Sequence, residues 1–307
     1  MEFIKGGRKT MAKAKGSKLS HATGFDVFLY IFMGLLALLT FFPFYYMVII
    51  SFADYAALHA QTVYIIPTVF DTSSYDMMFS NKAFGSSFLV TVFVTIVDTI
   101  LGVIISVGAA YPMSKKDLPG SKLMFNIMLF TMFFSGGMIP SYLIVEELGM
   151  HDSIWCMVWP CLISQFNVIL IKNYFEDLPA SIEESAKIDG ANDMTILFRI
   201  VLPMSTPIIA TIALFVAVGT WNSYWQAMLH IMDNFKLPLQ MTLRNMLMSS
   251  VNSLPGAAQQ FATQTKKIYS LSFQMASVTV ATIPILLVYP FVQKYFTKGI
   301  MLGGVKG

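Results

Sequence analysis

Long apolar runs alternate with short polar stretches along this chain, and the runs dictate its architecture. Windows of about 19 residues, enough for a helix to cross a hydrocarbon core, select runs near 27 to 52, 84 to 111, 123 to 145, 154 to 174, 205 to 230 and 272 to 293. Six helical spans are therefore expected, in one all-α membrane domain over 25–296 with a basic tail at 1–24 and a short tail at 297–307. Between the runs lie a polar stretch from Ala53 to Ala83, a basic turn from Ser114 to Lys122 and an acidic turn from Glu146 to Asp152. An amphipathic segment follows from Glu176 to Pro203. The stretch from Ile231 to Leu271, with Pro238, Pro255 and many Gln and Asn, reads as irregular. No internal repeat or low-complexity tract is visible.

Composition agrees with the pattern. At 56% hydrophobic and 12% charged residues, the chain falls well below the roughly 25% charged content of soluble domains. The first run is longer than the roughly 7 to 15 apolar residues of a cleavable signal core, so it reads as a retained helix. A net charge of +3 with no extended basic patch points away from nucleic acid. Cys156 and Cys161 lie five residues apart in one apolar run, on different sides of a helix, which excludes a disulfide framework and reads as small apolar packing.

Basic residues near span ends are retained on the cytoplasmic side. Fifteen Lys and Arg fall on one side: six in the amino tail, three around Lys115 to Lys122, three between Lys172 and Arg199, and three in the carboxyl tail. The opposite side carries five, Lys82, Lys236, Arg244, Lys266 and Lys267. Both termini and the Glu176 to Pro203 segment are expected in the cytoplasm.

Prolines at 43, 140, 160, 207, 284 and 290 predict kinked spans, tolerated where neighbours satisfy the freed carbonyls. Gly102, Ser106 and Ala110 form a small-residue stripe that lets a helix approach closely, from this chain or another. Asp98 is the ionisable residue well inside a run, where a charge costs about 2.5 to 3.5 kcal/mol on insertion scales. Lining a path, holding a partner helix and sitting protonated in a hydrogen bond all satisfy it, with the structural roles favoured.

The amphipathic segment carries the sharpest signal. Ser181 and Glu184 stand in capping-box spacing, Gly190 suits a helix stop, and Asn192 suits the cap of a second helix running through Val201 before Pro203. On that helix Met194, Ile196, Leu197, Ile200 and Val201 make an apolar face, expected to lie against the bundle, while Asp193 and Arg199 are polar.

Glu184-Ser-Ala-Lys-Ile-Asp-Gly190, then Ile200 and Leu202-Pro203, resembles the EAA loop of binding-protein-dependent ABC importer permeases, with Ser185 in place of the usual first alanine. The resemblance extends over nearly all of the chain. It is nearest the carbohydrate branch, maltose-type inner permeases and LplC/YtcP-like permeases of oligosaccharide or polysaccharide importers. Trp221-Asn222, Ser135-Gly-Gly-Met-Ile-Pro140 and the ending Gln293 to Gly307 carry that similarity.

The resemblance implies a type I six-helix permease bundle in the bacterial cytoplasmic membrane. Its expected partners are a second, distinct permease forming a heterodimer, two ATPase subunits and an extracytoplasmic substrate-binding protein. It also implies that Glu184, Ser185, Ala186, Ile188, Asp189, Gly190, Ile200, Leu202 and Pro203 couple to the ATPase. Glu184 would pair with a basic residue there, Gly190 would form the turn, and Ala186 and Ile188 would add apolar contact. The outer stretch would contact the binding protein, or serve as a plain solvated loop.

No G-x-x-x-x-G-K-[ST] phosphate loop occurs, so ATP and Mg are expected on the partner subunits and no cofactor, metal or catalytic site on this chain. His21, His59, His151 and His230 lack metal-ligand spacing.

A sugar path needs aromatic faces to stack on pyranose rings and amides or hydroxyls to bond them. The fifth run offers Thr220, Trp221, Asn222, Tyr224 and Trp225, although an interfacial aromatic belt accounts for the same rings. An ion-coupled secondary carrier would require several intramembrane carboxylates and often a repeat.

Overall fold

A computed structural model describes residues 24–53, 66, 69–252 and 270–303, with 247, 249–252, 270, 289 and 291–303 given as backbone alone. The basic tail from Lys5 to Lys18, the part of the outer stretch around Pro255, Lys266 and Lys267, and the final Gly304 to Gly307 lie outside the described residues.

Among the described residues the secondary structure is helical, without strands. Helix α1, Gly24–Ser51, is predominantly apolar, with Asp26 in its first turn and Pro43 inside it. Its residues through Tyr46 form one compact unit, and Met47 onwards forms another. In the second unit, α2 (Ser73–Ser80) leads into α3 (Lys82–Ser114), whose first turn is capped by the Asn81 side chain accepting from the Ala83 amide at 2.9 Å. The helices α4 (Ser121–Phe133), α5 (Met138–Glu147), α6 (Gln165–Glu176) and α7 (Ala180–Ile188) follow. Next comes a composite helix α8, Asp193–Met204, then α9 (Thr206–Trp221), α10 (Trp225–His230), α11 (Leu239–Asn252) and α12 (Ser270–Gly303).

Helix α3 is the central post. Helices α6 and α9 pack along it, and α12 packs on α9. The Gly102, Ser106 and Ala110 stripe is used within the chain: a Cβ on Gly102 would stand 3.4 Å from the Leu162 carbonyl oxygen and 3.6 Å from Val216. Asp98, midway along α3 and 2% exposed, accepts a hydrogen bond from the Thr220 hydroxyl of α9. The carboxylate therefore joins the two central helices, at a depth where a buried polar group needs a partner.

Three runs depart from straight spans. Among the described residues, helices α1, α3 and the Leu271–Val288 part of α12 are each long and apolar enough to cross a membrane, and three bent pairs bring the number to as many as six if each is one span. The third run folds as α4 and α5, bent by 112°. Gly137, at φ 91°, makes that corner possible, and Pro140 falls in the first turn of α5, where its missing amide hydrogen costs nothing. The fourth run is a pair of 3₁₀ turns, Ile154–Met157 and Trp159–Cys161, set at 44° to α6. Cys156 is buried there but Cys161 is exposed, so the expected packing holds for the first only. The fifth run breaks after Trp221 and resumes as α10, with α8 set at 81° before it. The stretch after Ile231, expected to be irregular, contains the 14-residue helix α11. Its attachments explain it: Leu239 donates its amide to Thr91 Oγ1 at 2.7 Å, and Thr242 pairs with Ser87 at 2.6 Å.

Candidate functional site

Two regions carry the chemistry: the α7–α8 corner and the break between α9 and α10. Helix α7 begins two residues earlier than the capping-box spacing predicts, at Ala180 instead of Ile182. Pro179 precedes it without a side-chain cap, and Ser181 sits in the first turn, its carbonyl accepting from the Ser185 hydroxyl at 2.8 Å. A proline just ahead of the first turn fixes φ where a helix begins, so the Ser181 hydroxyl is not needed there.

The stop of α7 follows the glycine expectation in detail. Gly190 stands at φ 83°. Its amide donates to the Lys187 carbonyl at 3.0 Å, and that of Ala191 donates to Ala186 at 3.0 Å, the paired bonds of a Schellman cap. Asn192 then caps α8 through the Thr195 amide at 2.8 Å. Rather than ending at Val201, α8 runs on to Met204 through a π turn at Leu197–Val201. Pro203 accounts for this, because its ring has no amide to offer Arg199 and crowds that carbonyl. Widening the turn by one residue relieves both.

This corner is held from inside. Ala186, Ile196, Leu197 and Val201 are buried together with Tyr111 of α3 and Phe175 of α6. Ala186 thus packs on the chain's own core, a correction to its expected outward contact. Met194 is corrected in the opposite sense: it is 66% exposed, off the buried face. The outward surface is Glu184, Ser185, Asp189 and Gly190 with Ile188 at 86% exposure, Met194 and Phe198 at 64%. Ile200 and Leu202 are half-buried and Pro203 is exposed. Lys115, at the end of α3, forms an ion pair with Glu183 and lies 4.4 Å over the Tyr111 ring, whose hydroxyl donates to the Asp193 carbonyl at 3.4 Å. Helix α3 is therefore tied to the corner by these contacts.

At the second region α9 ends beside Asp98. Trp221 is buried, edge-on to Phe88 at 6.0 Å, and its indole donates to the Ala281 carbonyl at 3.2 Å, so it packs α9 on α12. Asn222, Tyr224 and Trp225 are exposed. The Asn222 amide donates to Val218 at 2.8 Å and accepts from Gln240 of α11 at 3.4 Å. Arg244, one turn beyond Gln240, has its guanidinium 5.8 Å from the Tyr224 ring centre. Trp225 opens on a cavity of about 250 Å³ shared with Ser135, Tyr142 and His230. Tyr142 stacks on His230 at 4.9 Å. Among the described residues no group of three or more His, Cys, Asp or Glu is placed to hold a metal ion.

No protein-family profile matches the chain. Protein LplC of Bacillus subtilis is 42% identical over 92% of this chain and 95% of its own length. The polygalacturonan/rhamnogalacturonan transport system permease YtcP of the same organism is 43% identical over 92% and 98%. A solved bacterial ABC transporter chain, from a system that imports the acidic polysaccharide alginate, superposes with a TM-score of 0.81 at 33% identity, over 89% of this chain and 96% of that one.

The chain belongs to the ABC transporter permease family.

Several parts of this permease's surface escape sequence reading. Met194 falls on the apolar face by spacing, yet its side chain is exposed, as is that of Phe198. Lys115, Tyr111 and Glu183 were legible as polar residues but not as partners, since 68 residues separate the ion pair. Gln240 and Arg244 lay in a stretch read as loop; their four-residue spacing was the available sign of one helix face.

Proposed function

We propose that this permease is one half of the membrane pathway of an ATP-driven importer for an oligosaccharide or polysaccharide. ATP is hydrolysed on two separate ATPase subunits, a second and distinct permease completes the pathway, and an extracytoplasmic binding protein delivers the substrate. The chain lies in the bacterial cytoplasmic membrane with both termini and the α7–α8 corner in the cytoplasm, as the Lys and Arg distribution supports. The absence of a phosphate-loop sequence agrees with ATP and Mg being held elsewhere.

One observation carries the coupling reading: the corner, tied to α3 through Lys115 and Glu183, presents Ile188, Met194 and Phe198 outward. Apolar side chains in water on a cytoplasmic surface are unfavourable until something covers them. A cleft on an ATPase subunit suits them, with Glu184 adding an ion pair. Movement of that subunit then passes to α3 through the corner's buried face. The broken helix at Asn222 supports a path beside it, since irregular backbone at membrane depth is tolerated only in protein or against water. Asn222, Tyr224 and Trp225 line that path in this reading, and Trp221 props it from behind. The saccharide class rests on the named systems of the relatives. An ion-coupled secondary carrier draws no support from them.

Purification from the membrane tests the proposal. An ATPase and a second permease are expected to accompany the chain, and vesicles containing the set should take up labelled oligosaccharide only with ATP. Solute movement by the isolated chain on an ion gradient would sink it.

A further inference from the structure

Arg244 is a half-buried cation on α11 that no carboxylate among the described residues approaches within ion-pair distance. Its aromatic neighbour is the Tyr224 ring, at 5.8 Å, near the outer limit for a cation over an aromatic face. So loose a contact leaves guanidinium donors free. On the same face of α11 Gln240 meets Asn222, and Asn222, Ser223 and Tyr224 are exposed where the helix breaks. A cation, a ring face, two amides and a hydroxyl thus stand together at the open break.

These groups match one ligand chemistry. A sugar's C–H face stacks on a ring, its hydroxyls bond to amides, and a carboxylate on the sugar takes the guanidinium in a charge-assisted pair. The geometry points to Arg244 as the group that selects uronate-bearing, negatively charged saccharides in this pathway. This rests on the saccharide-importer reading above and narrows it. Arginine suits the task better than lysine, because its planar fork presents parallel donors to both carboxylate oxygens.

The test compares one oligogalacturonide as the free acid and as its neutral methyl ester, in vesicles from cells expressing the complete importer. The unaltered importer is expected to prefer the acid. Arg244→Gln should lower acid uptake about tenfold or more, the effect of losing one hydrogen bond to a charged group, with ester uptake changing less than about twofold on the same scale. Arg244→Lys should retain part of the preference. Equal losses for acid and ester would make Arg244 a packing residue and overturn the inference, as would an unaltered importer indifferent to charge. A defect that follows the anionic-lipid content of the vesicles instead of substrate charge would assign the guanidinium to lipid phosphate and overturn it too. Failure to move either saccharide, with ATP-driven uptake of another solute intact, would strike the saccharide reading itself and take this inference with it.

Discussion

Gly190 shows how much one backbone angle decides here. Nothing lies within 4 Å of a Cβ built on it, so space does not require glycine; the φ of 83° does. A β-branched residue in that conformation is strained by about 1–2 kcal/mol or more, while Asn tolerates it better. Gly190→Val is therefore expected to insert normally yet uncouple substrate uptake from ATP hydrolysis, with Gly190→Asn intermediate; normal uptake by the valine variant would refute the role. Asp152 offers a second residue-scale test. The Lys236 ammonium at 2.9 Å, helped by the Asp233 and Met232 amides, holds its carboxyl down to about 2 from the ordinary 3.8. A lowered folded-state value means stability that is present above pH 3.8 and is lost as pH falls towards 2. The acid side of a thermal-unfolding profile in detergent should flatten in Asp152→Asn, and an unchanged profile would show the pair to be inert.

At the scale of elements, the polar bonds decide which helices stay together. Thr220 and Asp98 join α9 to α3, so Thr220→Val leaves a buried carboxyl without its donor. A loss of roughly 1–3 kcal/mol is expected from an unsatisfied buried group, read as a lower unfolding temperature of the purified permease. Asp98→Asn keeps an acceptor for the Thr220 hydroxyl and should cost less. A transport defect in Asp98→Asn at full stability would instead favour a place in the path. This pairing also shows what the sequence could carry. Asp98 announced itself by being charged in an apolar run, but Thr220 is 122 positions away and no local pattern links them. The Gly190 stop and Asn192 cap were legible because caps are local. The corner at Gly137, the π turn before Pro203 and helix α11 were not, because hydropathy windows average over bends and Pro238 disguised the start of a helix held by Thr91 and Ser87.

For the whole molecule, the main question is what covers the apolar surface left open. Along the membrane runs lipid and the proposed second permease would answer it. At the α7–α8 corner lipid does not, if the corner stands in the cytoplasm, and Ile188 at 86% exposure and Phe198 at 64% then need a protein cover. Their burial against an ATPase subunit, as proposed, would contribute about 1.5–3 kcal/mol for each side chain. An exposed Glu184 ion pair contributes about 0–1 kcal/mol. The ranking of variants follows from these magnitudes. Ile188→Asp and Phe198→Asp should each weaken ATPase retention about tenfold or more in a pull-down on the tagged permease, whereas Glu184→Gln should barely alter it. Both apolar side chains are exposed whereas Ala186, Ile196 and Leu197 are buried, so membrane insertion and recovery of the second permease should persist. Loss of both partners together would mean that the chain had misfolded. Full ATPase recovery with both aspartate variants would place the docking surface elsewhere and leave the corner as a structural brace on α3.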